Sequence, residues 1–263
     1  MLMQKFFIWR EFLGEILGTF FLVLIGCGAV GVSILYPQEG HGLFQIALIW
    51  GFTIAVAVYM TRHLSNAHLN PAVTIAMVAA RRMPAAKLPI YFVAQFLGAF
   101  VAGLLLYALF ANAIADFESA RGIVRGTPES MQSAKMFGCY YTVHSMWAAS
   151  GIEALGAFLL VLLVFALTDD ANVGRPGDAL APIFIGIGIA LLITLLAPLT
   201  QASMNPARDF GPRMAAWLCG WGDAAFPDRH GGFLWIYIVS PLLGAVASAL
   251  FFTKCVVPAM KKQ

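Results

Sequence analysis

Two copies of Asn-Pro-Ala, at Asn70-Pro71-Ala72 and Asn205-Pro206-Ala207, sit one in each half of the chain, each in a short polar break between long apolar stretches. A helix that starts at such a break leaves its first N–H groups without partners and carries partial positive charge there. Asn caps that end well, and Pro suits the first helical position because it has no N–H to satisfy. The chain is 60% apolar and 11% charged, with a mean hydropathy of +0.82, which excludes an ordinary water-soluble domain. A crossing takes roughly 20 residues. Full spans are expected near 8–35, 43–61, 87–111, 145–168, 179–200 and 233–256, with shorter helices near 71–81 and 206–217. The expected fold is an all-α membrane protein of six transmembrane helices and two re-entrant half-helices, and half-helices meeting inside a bilayer suit a pore.

The halves repeat each other. GEILGTFFL (14–22) corresponds to IEALGAFLL (152–160), and LNPAVT to MNPARD; Glu15 precedes Asn70 by 55 residues and Glu153 precedes Asn205 by 52. Each half holds three spans, an odd number, so the second half enters the membrane from the opposite side. This is an inverted repeat with its functional centre at the midplane. Residues 1–263 then form a single transmembrane channel domain, with repeats at about 8–111 and 145–256 and an external, solvated linker at about 112–144 that carries Asp116, Glu118, Arg121, Arg125, Glu129 and Lys135.

Glu15 and Glu153 are intramembrane carboxylates, costly unless satisfied. Their symmetric placement fits buried acceptors for the N–H groups of the two re-entrant loops better than a catalytic pair or a proton relay. Small residues four apart, at Gly14 and Gly18, at Ala94, Gly98 and Ala102, and at Ser240, Gly244 and Ser248, let helices approach closely. Cys27, Cys139, Cys219 and Cys255 show no metal-ligand spacing, and most of them read as small packing residues. Asp169 and Asp170 read as a solvated turn.

With both termini cytoplasmic, that side carries Lys5, Arg10, Arg62, Arg81, Arg82, Lys87, Arg175, Lys254, Lys261 and Lys262; the opposite side carries Arg121, Arg125, Lys135, Arg208, Arg213 and Arg229. Ten basic residues against six favour this orientation, which also accounts for the net charge of +3 without a nucleic-acid partner. The first span reads as structure rather than a signal peptide, since Glu15 interrupts its apolar run. No regulatory tail is expected, because both termini are short.

SNAHLNPAVTIA (65–76) and SMNPARDFGP (203–212), with the glutamate repeat, resemble the aquaporin superfamily, the major intrinsic proteins. Asp209 after NPAR, TDD at 168–170 and VRG at 124–126 resemble its glycerol-facilitator (aquaglyceroporin) branch. The resemblance implies that Asn70 and Asn205 cap the half-helices and turn their amides into the pore. It also implies a carbonyl ladder from Asn66, Ala67 and His68 and from Gln201, Ala202 and Ser203. Arg208 and Trp50 would stand in the selectivity filter. Its other two positions, counted back from Asn205, hold Ile193, where glycerol channels carry glycine and water-selective members histidine, and Ala202, where glycerol channels carry phenylalanine. Gln201 and Asn66 stand where that branch has glycine.

The expected function is a passive channel for small uncharged solutes, glycerol or a larger polyol, with water, excluding protons and cations. A water-only channel, a pore for a small organic acid, and an ion-coupled transporter are the competing readings. No nucleophile–base pair, metal cluster or phosphate loop points to an enzyme, so no cofactor or metal is expected. The resemblance further implies a homotetramer in a bacterial inner membrane.

Overall fold

A computed structural model describes residues 2–39, 42–226 and 232–261, with residues 2–7 as backbone alone. The side chain of Lys5, and Arg229 and Lys262, all counted for orientation above, lie outside the described residues. The chain forms α1 (Leu2–Leu35), α2 (Leu43–Thr61), α3 (Pro71–Ala79), α4 (Leu88–Ala120), α5 (Met146–Thr168), α6 (Ala181–Thr200), α7 (Pro206–Ala216) and α8 (Leu234–Met260). Among the described residues, six of these are long and apolar enough to cross a membrane; α3 and α7 are not. With 9 and 11 residues, the two short helices reach about half of a hydrocarbon core of roughly 30 Å.

The packing repeats with the sequence. Helix α1 lies against α4 as α5 lies against α8, and α1 meets α2 as α5 meets α6. Each half-helix packs on the last span of the other half, α3 on α8 and α7 on α4, which knits the repeats into one bundle. Two glycines set the closest approaches. A Cβ on Gly98 would stand 2.5 Å from the Ile16 carbonyl, and one on Gly244 would run into the carbonyl of Ala154. Ile16 and Ala154 each follow the buried glutamate of their repeat, so the same contact occurs twice. Where α2 crosses α6, Gly51 and Gly186 each face the other's carbonyl oxygen. The outer surface is apolar, with Phe52, Leu109 and Leu195 each more than half exposed. That surface suits lipid.

Four features differ from expectation. Helix α4 continues nine residues past 111, through Asn112–Ala120, because Ile114, Phe117 and Glu118 keep a buried face as it leaves the apolar stretch. The linker is packed rather than solvated: Glu118 accepts from Arg125 Nη2 at 2.8 Å and Ser133 Oγ at 2.6 Å. Arg125 lies 4.3 Å from the Trp221 ring, and Met136, Phe137 and Cys139 are buried. Asp116, Arg121, Glu129 and Lys135 do remain exposed.

Arg213, counted above as an external charge, is wholly buried. It donates to Asp209 Oδ2 at 2.7 Å, to the Ala225 carbonyl at 2.6 Å and to the Cys139 carbonyl, between the rings of Tyr140 and Tyr237. Asp169 is likewise no free turn residue: it pairs with Arg82, whose guanidinium stacks on Phe165. Asp170 is the exposed partner of Arg175.

Candidate pore and its lining

The re-entrant loops are built alike, residue for residue. Glu15 reaches from α1 and accepts from His68 N at 2.9 Å, Leu69 N at 2.7 Å, Ser65 Oγ at 2.7 Å and Gln95 Nε2 at 2.7 Å. Glu153 reaches from α5 and accepts from Ser203 N at 3.0 Å and Met204 N at 2.8 Å. Five residues before each Asn a hydroxyl holds the loop open: Ser65 Oγ accepts from Ala67 N, and Thr200 Oγ1 from Ala202 N.

Ala67 and Leu69 in one loop, and Ala202 and Met204 in the other, have φ near +50°. Backbone N–H groups in these stretches turn toward the buried glutamates. The carbonyls of Asn66, Ala67, His68, Ala202 and Ser203 have no hydrogen-bond partner among the described residues. Irregular backbone at this depth is tolerable only against protein or a hydrated cavity.

The two asparagines face one another. Asn70 Oδ1 accepts from Ala72 N at 2.8 Å, and Asn205 Oδ1 accepts from Ala207 N at 3.1 Å and Arg208 N at 3.2 Å. With its oxygen committed to its own helix, each side chain must turn its amide group outward. Asn70 Nδ2 donates to the Met204 carbonyl at 2.9 Å, and Asn205 Nδ2 donates to the Leu69 carbonyl at 2.9 Å. Each Asn thus binds the carbonyl just before the other. One of the two N–H bonds on each amide is used this way, and the second is left for the cavity.

A cavity of about 330 Å³ passes both asparagines. Its lining includes Trp50, Ile193, Ala202 and Arg208 toward one end and Arg62, Thr168 and Asp178 toward the other, with apolar walls such as Leu22, Val73, Leu160 and Ile189 between. Asn66, Ala67, His68 and Ser203 also line it. Pro71, Ala72, Pro206 and Ala207 are buried in the first turns of α3 and α7, behind the asparagines.

The Arg208 guanidinium lies 4.7 Å from the Trp50 ring centroid, and its Nη1 has no protein partner among the described residues. His68 packs its ring 4.9 Å from Tyr91, and its Nδ1 is likewise unpartnered. At the far end, Arg62 Nη1 donates to the Asp178 carbonyl at 2.7 Å, and Arg175 binds Asp178 Oδ1 at 2.5 Å. That contact holds the Asp178 carboxyl below its ordinary range.

Gln201, expected in the carbonyl ladder, is absent from the cavity lining. Its carbonyl faces the Cys139 thiol at 3.7 Å, and its side chain binds the linker. Cys139 therefore contributes thiol, N–H and carbonyl to the loop contacts rather than serving as inert packing, while Cys27 is buried and Cys255 exposed. Sequence reasoning missed the reciprocal Asn contacts and the Asp209–Arg213 pair. The (i, i+4) acid–base spacing after NPA was the one available signal for the latter.

Six spans around a continuous cavity, with two capped half-helices meeting at its middle, define a multi-pass membrane channel. The sequence pattern of the major intrinsic protein family matches residues 2–252. The chain is 42% identical over 246 residues to the glycerol uptake facilitator protein of Haemophilus influenzae, covering 93% of this chain and 92% of that one. It is 40% identical over 240 residues to the propanediol uptake facilitator PduF of Salmonella typhimurium, covering 90% of each. Among solved structures, the aquaglyceroporin from Plasmodium falciparum superposes with a TM-score of 0.85 at 27% identity, covering 97% of this chain and 100% of that one. The chain belongs to the major intrinsic protein family, in its aquaglyceroporin branch; it is a channel and not an enzyme.

Proposed function

We propose that this channel conducts glycerol and related small diols and polyols passively, with water, and excludes protons and cations. The reciprocal pairing of Asn70 and Asn205 carries this reading. Two neighbouring amide donors, one at each half-helix tip, turn a passing hydroxyl or water oxygen toward both. That reverses donor direction along a water file and interrupts proton hopping, while the positive helix ends and Arg208 oppose cations. The free carbonyls of residues 66–68 and of 202 and 203 replace the hydration shell on one wall, and the apolar residues opposite accept CH groups.

The filter is half apolar, from Trp50 and Ile193, and half polar, from Arg208 with its free Nη1. With a methyl at Ala202 in place of an aromatic, it is wider than a filter walled by two rings, and diols and polyols are its expected solutes. The names of the relatives support the same class, one a glycerol and one a propanediol facilitator. We further propose a homotetramer in a bacterial plasma membrane with both termini cytoplasmic. The bacterial relatives and the basic-residue bias support this placement.

The test is stopped-flow swelling of proteoliposomes with glycerol, propane-1,2-diol, erythritol and ribitol, beside osmotic water flux. Entry of the diol and polyols above protein-free vesicles is expected, at rates independent of proton or sodium gradients. Water flux alone refutes the solute reading, and gradient dependence refutes passive conduction.

A further inference from the structure

The filter loop is held from outside by a segment of the linker. Residues 139–142 run beside residues 198–201: Thr142 N donates to the Leu199 carbonyl at 2.9 Å, Thr142 Oγ1 to the Pro198 carbonyl at 2.6 Å, and Tyr140 N to Gln201 Oε1 at 2.6 Å. Beneath this strap, Cys139 N donates to Asp209 Oδ1 at 2.7 Å, and Arg213 holds the Cys139 carbonyl. Gly138 lies so close that a Cβ there would stand 2.6 Å from the Arg213 guanidinium.

The Gln201 side chain reaches from the loop to the strap, and it does so from a strained position. Its φ is +61° at the end of α6, a conformation that favours Gly, and Ala202 follows at +50°. A residue with a Cβ is disfavoured there unless the surroundings fix it. The amide oxygen on Tyr140 N is the fixture supplied by the side chain itself, beside Thr200 Oγ1 on Ala202 N and the Cys139 thiol on the Gln201 carbonyl.

Among the described residues the other repeat shows no such device. Asn66 stands at the corresponding place, four residues before its Asn, and is exposed, with no side-chain hydrogen bond among the described residues. The strap therefore serves the end that carries Trp50, Ile193, Ala202 and Arg208. Ala202 offers only a methyl, too little to lock the loop by packing. Glu153 aims the Ala202 and Ser203 carbonyls by holding the N–H groups of the same two peptides, so what the strap sets is where the loop leaves α6, at Gln201.

We propose that Gln201 is a positioning residue for selectivity: through Tyr140 N it fixes the aperture of the filter without touching the solute. This rests on the polyol reading above.

The experiment compares wild type with Gln201→Leu, which keeps the bulk and loses the acceptor, and Gln201→Glu, which keeps an acceptor. The readouts are the ribitol-to-glycerol permeability ratio in proteoliposomes and amide exchange at Tyr140 and residues 201–204. In Gln201→Leu the ratio is expected to rise by about threefold or more, within what one lost hydrogen bond allows. Exchange at Tyr140 rises alongside it, and Gln201→Glu restores both. Gln201→Met replaces the Leu variant should the latter not assemble.

A ratio unchanged within twofold in correctly assembled Leu or Met protein overturns the proposal. So does a uniform fall in every permeability, which marks a merely structural role. Should wild type conduct water alone, the polyol reading fails by itself. The strap is then judged on water permeability and Tyr140 exchange, where no difference between Leu and Glu variants overturns it.

Discussion

Glu153→Gln replaces one carboxylate oxygen by an NH2 group. In the structure Oε1 takes the Ser203 N–H and Oε2 the Met204 N–H, so whichever oxygen is lost, one backbone donor comes to face another. Glu15 also takes the Ser65 hydroxyl and the Gln95 amide besides its two backbone donors, yet Glu15→Gln gives the same result. If the NH2 lies toward Ser65, that hydroxyl can turn to accept it and the His68 N–H is orphaned. If it lies toward Gln95, that amide can flip to present its unpartnered Oε1, and the Leu69 N–H is orphaned. An orphaned buried N–H costs about 1–3 kcal/mol.

At about 1.4 kcal/mol per factor of ten, either Gln variant should raise loop opening roughly 5- to 150-fold, and by a similar factor in the two repeats. Alanine at either position orphans both backbone donors and should roughly double the penalty in free energy. Amide hydrogen exchange of residues 67–70 and 202–205 in nanodiscs reads this directly. The effect should stay within the repeat that carries the mutation. If Gln variants leave exchange within twofold of wild type, or if Glu15→Gln far exceeds Glu153→Gln, the reasoning from donor counting is wrong.

Three further outcomes are expected. Ala202→Phe places a ring in the cavity beside Trp50 and Ile193, so ribitol and erythritol entry should fall several-fold more than water flux; an unchanged solute panel by stopped-flow refutes the widened filter. Arg213→Ala leaves Asp209 buried and uncompensated, costing about 3–5 kcal/mol, and should abolish monodisperse protein in size-exclusion chromatography. A normal elution profile and melting point for that variant would contradict the buried pair. Asp178 has its pKa lowered from 3.8 by Arg175, so it stays charged, and its clip on Arg175 stays closed, at every pH above its ordinary value; the clip is lost only as pH falls through the depressed value. Glycerol flux should therefore be equal at pH 7 and pH 5, and a drop with its midpoint near pH 5 that disappears in Asp178→Asn refutes this.

Hydropathy and the two polar breaks were enough to place the spans, because each physical requirement is local. A crossing needs about 20 apolar residues, and a helix tip needs a cap. Where ends differ, the cause is tertiary. Helix α4 extends to Ala120 because Glu118 finds Arg125 and Ser133 across the linker, partners that hydropathy does not register. Arg213 reads as an external cation in sequence, and only the fold shows that Asp209, Cys139 and Ala225 surround it. The four residues expected in the filter, by counting back from Asn205 and by resemblance at Trp50, line one cavity. The linker strap left no pattern, since its bonds to Pro198 and Leu199 are to backbone carbonyls that any sequence would supply.

The repeat also separates what the two halves share from what they do not. Everything at the cavity's middle occurs twice: a glutamate on two loop N–H groups, a hydroxyl five residues before the Asn, left-handed residues three and one before it, and an amide on the opposite carbonyl. A related pair of donors has no preferred direction, which suits a passive pore, where binding at the centre must be equally available from either end. The ends are not related. One carries Arg208 over Trp50 with a free Nη1, and the other carries Arg62 and Asp178 committed to loop contacts. On the proposed function, discrimination between solutes arises where the symmetry is broken and a donor is free, at the Arg208 end. Substitutions at Ile193, Ala202 and Gln201 should therefore change which solute passes, while matched substitutions at the asparagines should change how much of every solute passes.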